Sequence, residues 1–311
     1  MWSNKYPGNG GNRVRVVSRH GGTAGGGYAL LDHLVSNLVE GLAAYEDCAV
    51  ELDPTSLSSV PLERKRQEPF VRDTGAQEEL DPDYVLVVGG DGTMVGQSRA
   101  YARKPSARAP KLLGINAGHL GFVTDLPSTV PVTAVYEVLK EKHTLEQRTL
   151  LRFQGQLALN DVVLKATDGR LMEFSVYISG VLAYRCRADG LLVTTPTGST
   201  AYATSANGAI LSPTARVFEI MPLLPQTLAY RPLVINESDT IEVCIHNGSG
   251  GIFLDGNLYQ SLEKDQTYRI EKALEEVTFC HPTSAAYGYN FFHTLRTKLY
   301  WHLEPGKDVH A

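Results

Sequence analysis

A chain of 311 residues with 43% apolar composition has enough material for about two ordinary domains with buried cores. Its net charge of −5 and the lack of any dense basic stripe exclude a nucleic-acid or anionic-membrane partner as the expectation. Four scattered cysteines, Cys48, Cys186, Cys244 and Cys280, form no metal-type spacing, no apolar run reaches a spanning length and no signal-peptide core opens the chain, so free thiols and a cytoplasmic protein are expected.

Residues 1–11 carry no periodicity and are expected to be disordered. Arg13 to Ser18 read as a first strand, followed by glycine-rich residues 21–27 and an apolar-periodic helix from Tyr28 to Ala44. That glycine loop matches neither the dinucleotide nor the Walker pattern. The polar stretch from Asp53 to Asp83 predicts a loop with one short helix.

Tyr84 to Val88 form an unbroken apolar run that ends in Gly89-Gly90-Asp91-Gly92-Thr93. The run reads as a buried strand, and glycines that tolerate positive φ would bring backbone N–H groups up to a ligand, beside one carboxylate able to hold Mg²⁺ or take a proton. The same residues also suit an ordinary strand-to-helix turn. A helix from Met94 to Arg103 and a strand from Lys111 to Asn116 follow, the latter running into a second glycine turn at Ala117 to Phe122. Strands separated by helices imply a parallel sheet with its ligand crevice at the carboxyl ends of the strands.

From Arg148 onward short alternating segments dominate, at 171–178, 191–195, 217–221, 233–235, 240–245 and 251–254, with Phe153 to Gln156 as a tight hairpin connection. These predict an antiparallel β-rich domain. Within it, Thr195-Pro-Thr-Gly-Ser-Thr-Ala-Tyr202 supplies a Pro-Gly turn and small hydroxyls opening a helix, chemistry suited either to capping or to directional hydrogen bonds. An aromatic-rich tail ends in a predicted helix at Phe291 to Leu299. The expected organisation is an α/β, Rossmann-like domain at 12–126, a β-rich domain at 127–280 and a C-terminal segment, 281–311, packing back on the first domain.

Taken in order and spacing, Gly89-Gly-Asp-Gly-Thr93, Gly114-Ile-Asn116 with the turn to Asp125, Leu159-Asn-Asp161, Asp189-Gly190, the segment from Thr195 to Tyr202, Arg231-Pro-Leu-Val-Ile and Tyr289 to Leu299 resemble the NAD kinase family across about residues 84–301. The resemblance implies transfer of phosphate from ATP, with a divalent metal such as Mg²⁺, to the 2′-hydroxyl of the adenosine ribose of NAD. It implies Asp91 as the catalytic residue, deprotonating or orienting that hydroxyl, with Gly89, Gly90, Gly92 and Thr93 at the donor phosphates. Asn160 and Asp161 stand where the family has an Asn-Glu pair on substrate ribose hydroxyls, here with an acid one methylene shorter. Asp189 would reach the nicotinamide side, Thr200, Ala201, Tyr202 and Ser205 would line the dinucleotide pocket with Gly92, and Phe122 would cover a base. Arg187 matches a basic position of members that prefer NAD to NADH, and Asp255 resembles a late acidic turn near donor or substrate. No direct ligand motif for a metal is present; Mg²⁺ would ride on the phosphates, with Asp91 as a candidate ligand, and a homodimer or homotetramer is implied. The family usually carries an arginine where Ala117 stands. His119, His281 and His293 read as structural or interfacial. A lipid kinase sharing the glycine turn and a non-enzymatic dinucleotide sensor are the alternatives.

Overall fold

The computed structural model describes residues 11–18, 27–53, 82–103, 109–117, 121–140 and 142–301. The N-terminal ten residues, the glycine loop at 21–26, the polar stretch 54–81 and turn residues 118–120, His119 among them, lie outside the described residues. By contacts the chain divides into two compact units, one from the described residues of Met1–Gln97, Arg108–Glu146 and Thr278–Ala311, the other from those of Ser98–Ala107 and Gln147–Val277.

In the first unit β1 (Asn12–Ser18), β2 (Cys48–Leu52), β3 (Tyr84–Gly89) and β4 (Lys111–Asn116) pair in parallel in the order β2-β1-β3-β4. The two-residue β5 (Leu126–Pro127) and the end of a late strand, at Thr278 and Phe279, also pair with β4 in parallel. Every residue of β3 is buried, as expected for a central parallel strand covered on both faces. Helix α1 (Gly27–Ala43) turns Leu31, Leu34, Val35, Leu38 and Leu42 into a core with Val14, Val16, Leu86, Val88, Leu113 and Ile115, a spacing of three and four that keeps them on one face. The chain leaves β1 towards β2 on one side and continues from β3 to β4 on the other. The order therefore reverses between β1 and β3, the point at which open α/β sheets hold ligands beyond their carboxyl ends. Helix α2 (Asp91–Tyr101) begins there, directly after β3.

Helix α3 (Val132–Leu139) buries Val135, Val138 and Leu139 in the same core as α1, so residues expected to open the β-rich domain at 127 belong to the first unit and the chain changes units at Glu146/Gln147. The C-terminal helix α5 (Phe291–Lys298) belongs to the first unit, matching the expected return of the tail.

The second unit is two antiparallel layers. One sheet runs β13 (Leu233–Asn236), β12 (Val217–Leu223), β11 (Gly190–Thr194), β8 (Asp161–Ala166), β15 (Gly250–Leu254), β16 (Asn257–Leu262). The other runs β10 (Val181–Ala188), β9 (Met172–Ile178), β14 (Ile241–Asn247) and β17 (Thr267–Pro282), with β6 (His143–Phe153) pairing β17 and β7 (Gln156–Ala158). Alternate residues such as Phe174, Val243, Val162, Leu164, Phe218 and Ile220 fill the space between. Gln154 and Gly155, both at positive φ, join β6 to β7 in the expected two-residue hairpin. On the outer face of the first sheet, Val163, Leu192, Met221 and Leu223 are covered by Ala203 of the single-turn helix α4 (Tyr202–Ser205), so β8 and β11 are apolar on both sides.

Candidate functional site

In the first unit the glycine turn delivers Asp91 to the first position of α2. Its carboxylate accepts hydrogen bonds from Phe122 N at 2.8 Å, Val123 N at 3.3 Å and Thr124 Oγ1 at 3.3 Å. The turn at 121–124 thus holds the acid from outside its own helix. Gly121 is required there, because a Cβ at that position would overlap Asp91 Oδ1 and Thr124 Oγ1. The turn is itself tied down: Asp125 Oδ2 lies 2.6 Å from Nδ1 of buried His281, whose ring stacks on Tyr289 at 3.9 Å, a structural role as expected.

The glycines of the turn work differently from the sequence expectation. None of Gly89, Gly90 and Gly92 is at positive φ. Gly89 is needed because a Cβ would sit 2.6 Å from Thr93 Oγ1, whereas Gly90 and Gly92 face open space and are exposed. What they contribute is room beside the opening of α2, not left-handed backbone. The Gly90 carbonyl closes the first turn by accepting from Thr93 N and Met94 N at 3.0 and 3.1 Å.

In the second unit Asn160 and Asp161 lie at the start of β8, bracketed by Asp255 at the β15–β16 turn. The Asp255 carboxylate accepts from the N–H groups of Leu159, Asn160 and Asp161 at 3.0, 2.7 and 3.2 Å, and Arg99 Nε lies 3.5 Å from it. Asp255 is therefore committed to holding this turn. Burial pushes the Asp161 carboxyl, aided by the neighbouring Asp255, up to about 7, and burial also raises Asp255 against the three N–H bonds and Arg99 that oppose it. An unfolded Asp loses its proton near ~3.9, so between there and about 7 the folded chain binds the extra proton and stability falls as pH rises. Asp161→Asn removes that penalty. Its thermal midpoint should exceed the parent's by a few degrees at pH 8, with the gain vanishing near pH 4; a gain equal at both pH values would refute the assignment.

The hydroxyl-rich segment is spent largely on its own turn. Thr195 Oγ1 donates to the Leu159 carbonyl at 2.5 Å, Ser199 Oγ to Pro196 O at 2.7 Å, Thr200 Oγ1 to Thr197 O at 3.2 Å and Thr204 Oγ1 to Ser199 O at 2.9 Å. Gly198 packs so closely that a Cβ would overlap the Asn160 carbonyl and Thr194 Oγ1. The segment thereby locks the Asn160 turn to α4, with Ala201 opening that helix. Of the residues expected to bind the dinucleotide, Asp189, Tyr202 and Ser205 share a cavity of about 470 Å³. Its walls include Met221, Leu224, Leu228 and Tyr230, and it carries the cations Lys165 and Arg231. Asp189 is pinned by its backbone, donating to Leu223 O at 2.9 Å and accepting from Ala166 N at 2.8 Å. Arg187 is exposed on β10, and its carbonyl accepts from Gln226 N at 2.9 Å. Neither Arg187, Thr200 nor Ala201 lines the cavity.

Residues 36–144 match the family model described as ATP-NAD kinase N-terminal domain, and residues 159–281 match the ATP-NAD kinase C-terminal domain. The NAD kinase of Thiobacillus denitrificans is 39% identical over 234 residues, covering 71% of this chain and 77% of the relative. The NAD kinase of Shewanella piezotolerans is 38% identical over 232 residues, covering 70% and 72%. The chain belongs to the NAD kinase family. Two solved structures share the fold: yeast NADH kinase complexed with NADH, TM-score 0.78 at 20% identity over 97% of this chain and 90% of that one, and an NAD kinase from Archaeoglobus fulgidus in complex with ATP, TM-score 0.65 at 23% identity over 92% and 99%.

As a member of the NAD kinase family the chain is an enzyme, a kinase. Among the described residues no group of three or more His, Cys, Asp or Glu side chains could cage a metal ion, and no helix is long and apolar enough to cross a membrane. Asp91 alone, with three hydrogen bonds already on its oxygens, does not make a metal site. Sequence reasoning missed the donors Val123 and Thr124, the cavity cations Lys165 and Arg231, and Lys298. Thr124, Arg231 and Lys298 stood in motifs without an assigned role; Val123 and Lys165 had no local signal.

Proposed function

We propose that this NAD kinase family member transfers the terminal phosphate of ATP to the 2′-hydroxyl of the adenosine ribose of NAD, giving NADP and ADP. The observation that carries the reading is the Asp91 carboxylate, held by three donors at the opening of α2 beside a turn with room for a ligand. In the first unit Asp91 orients the acceptor hydroxyl and takes its proton as the O–P bond forms, Gly89, Gly90, Gly92 and Thr93 meet the donor phosphates, and Phe122 covers a base. An acid pinned in this way loses no orientation when the barrier is crossed. In the second unit Asn160 and Asp161 meet ribose hydroxyls. Asp189, Tyr202 and Ser205 take up a flat ring and its polar edge in their cavity, Thr200 and Ala201 serve from outside it by shaping the turn that opens α4, and Asp255 serves by holding the Asn160 turn. Arg187, exposed and basic, disfavours or favours nicotinamide forms by charge. Mg²⁺ supplies charge neutralisation on the triphosphate when bound.

The four cysteines are all free thiols, which suits a reducing cytoplasm, and we take the assembly to be a homodimer or homotetramer on the strength of the resemblance. The test is a coupled assay: NAD, ATP and Mg²⁺ with NADP read out by an NADP-specific dehydrogenase. NADP formation dependent on both nucleotides is expected. Tight NADP binding without turnover would instead indicate a dinucleotide sensor, and phosphorylation of a diacylglycerol a lipid kinase.

A further inference from the structure

Lys298 closes α5, the helix at the far end of the chain, yet its Nζ lies 3.9 Å from Asp91 Oδ2 and 4.6 Å from the centroid of the Phe122 ring. The helix that carries it is well defined: the Asn290 side chain caps it by accepting from His293 N at 2.9 Å, and Leu295 is buried. The separation from Asp91 is too long for a hydrogen bond, and the carboxylate already accepts three from the 121–124 turn. So the ammonium is attracted without being consumed. It rests on the aromatic face and is 24% exposed.

Phosphoryl transfer demands a cation at the transferring group, and the chain has no Walker lysine to provide one. We propose that Lys298 is the donor-phosphate lysine of this enzyme, its ammonium donating to a non-bridging γ-phosphate oxygen of ATP beside Asp91. The inference rests on the functional reading above. In the step it assists, the ribose oxygen forms its bond to the γ-phosphorus while the bond to the β,γ-bridging oxygen breaks. The electron pair leaves on ADP, the hydroxyl proton passes to Asp91, and Lys298 keeps its own proton throughout. Phe122 then has two duties, its backbone N–H holding the acid and its ring supporting the ammonium.

The test compares the parent with Lys298→Gln and Lys298→Arg by steady-state kinetics against ATP and by calorimetric binding of a non-hydrolysable ATP analogue and of NAD, with thermal melts alongside. Removing one charge-assisted contact should lower kcat/KM for ATP by roughly 10- to 100-fold in the Gln variant and weaken the ATP analogue while leaving NAD affinity and the thermal midpoint unchanged. The Arg variant, with the charge kept, should recover most of the loss. An active parent whose Gln variant stays within about threefold in kcat/KM for ATP overturns the proposal, as does a parallel fall in ATP affinity, NAD affinity and melting temperature, which marks a merely structural lysine. If the parent makes no NADP, the functional reading fails, and the analogue-binding comparison still decides whether Lys298 holds a triphosphate.

Discussion

Asp91→Asn should lower kcat for NADP formation by at least ~100-fold while leaving KM for NAD and ATP within a few-fold, the pattern for losing a group that acts in the transition state. The substitution keeps the shape of the side chain. Its amide oxygen can still accept from Phe122 N, now at 2.8 Å, but its NH₂ would face Val123 N, which donates at 3.3 Å. A donor set against a donor loosens the turn, so the thermal midpoint should fall slightly as well. Thermal melts run beside the kinetics separate the two effects. A variant that folds like the parent and turns over within about tenfold of it would show that Asp91 is not the base.

Gly198→Ala should be a strongly damaging small change in the second unit. Its new methyl would overlap the Asn160 carbonyl oxygen, and that oxygen accepts from Thr195 N at 2.9 Å and Thr194 Oγ1 at 2.9 Å, so it cannot retreat without breaking both. Overpacking against fixed backbone costs about 3 kcal/mol, which corresponds to a fall of about 10 °C in the thermal midpoint. Gly90→Ala provides the contrast, since a methyl there meets nothing within 4 Å and the midpoint should stay near the parent's. A melt of Gly198→Ala indistinguishable from that of Gly90→Ala would refute this account of the hydroxyl-rich segment.

Much of the architecture was legible because its causes are local. The apolar run from Tyr84 to Val88 can only be satisfied between two covering layers, and β3 is buried throughout. Gly155 tolerates the positive φ that a two-residue hairpin needs, and the turn forms there with Gln154 also at positive φ. The unit boundary was less legible, because the period of α3 reveals an apolar face without saying which core takes it. Val135, Val138 and Leu139 fill the core beneath α1, so the helix belongs with the first unit. In the same way the glycines at 89–92 were evident, but their reason was not: conformational freedom was the natural inference, and space turned out to be the cause.

By itself the sequence determined the strand and helix segments, the position of one carboxylate after a buried strand and the family to which the motifs belong, since each depends on residues within a few positions of one another or on their order along the chain. Only the tertiary structure decided what surrounds that carboxylate and its counterparts. Thr124 and Lys298 reach Asp91, Asp255 clamps Asn160, and Asp161 is driven towards neutrality, through contacts between segments far apart in the chain. Hydrogen bonds and desolvation act over a few ångströms of space regardless of sequence separation, so no periodicity or motif can announce them.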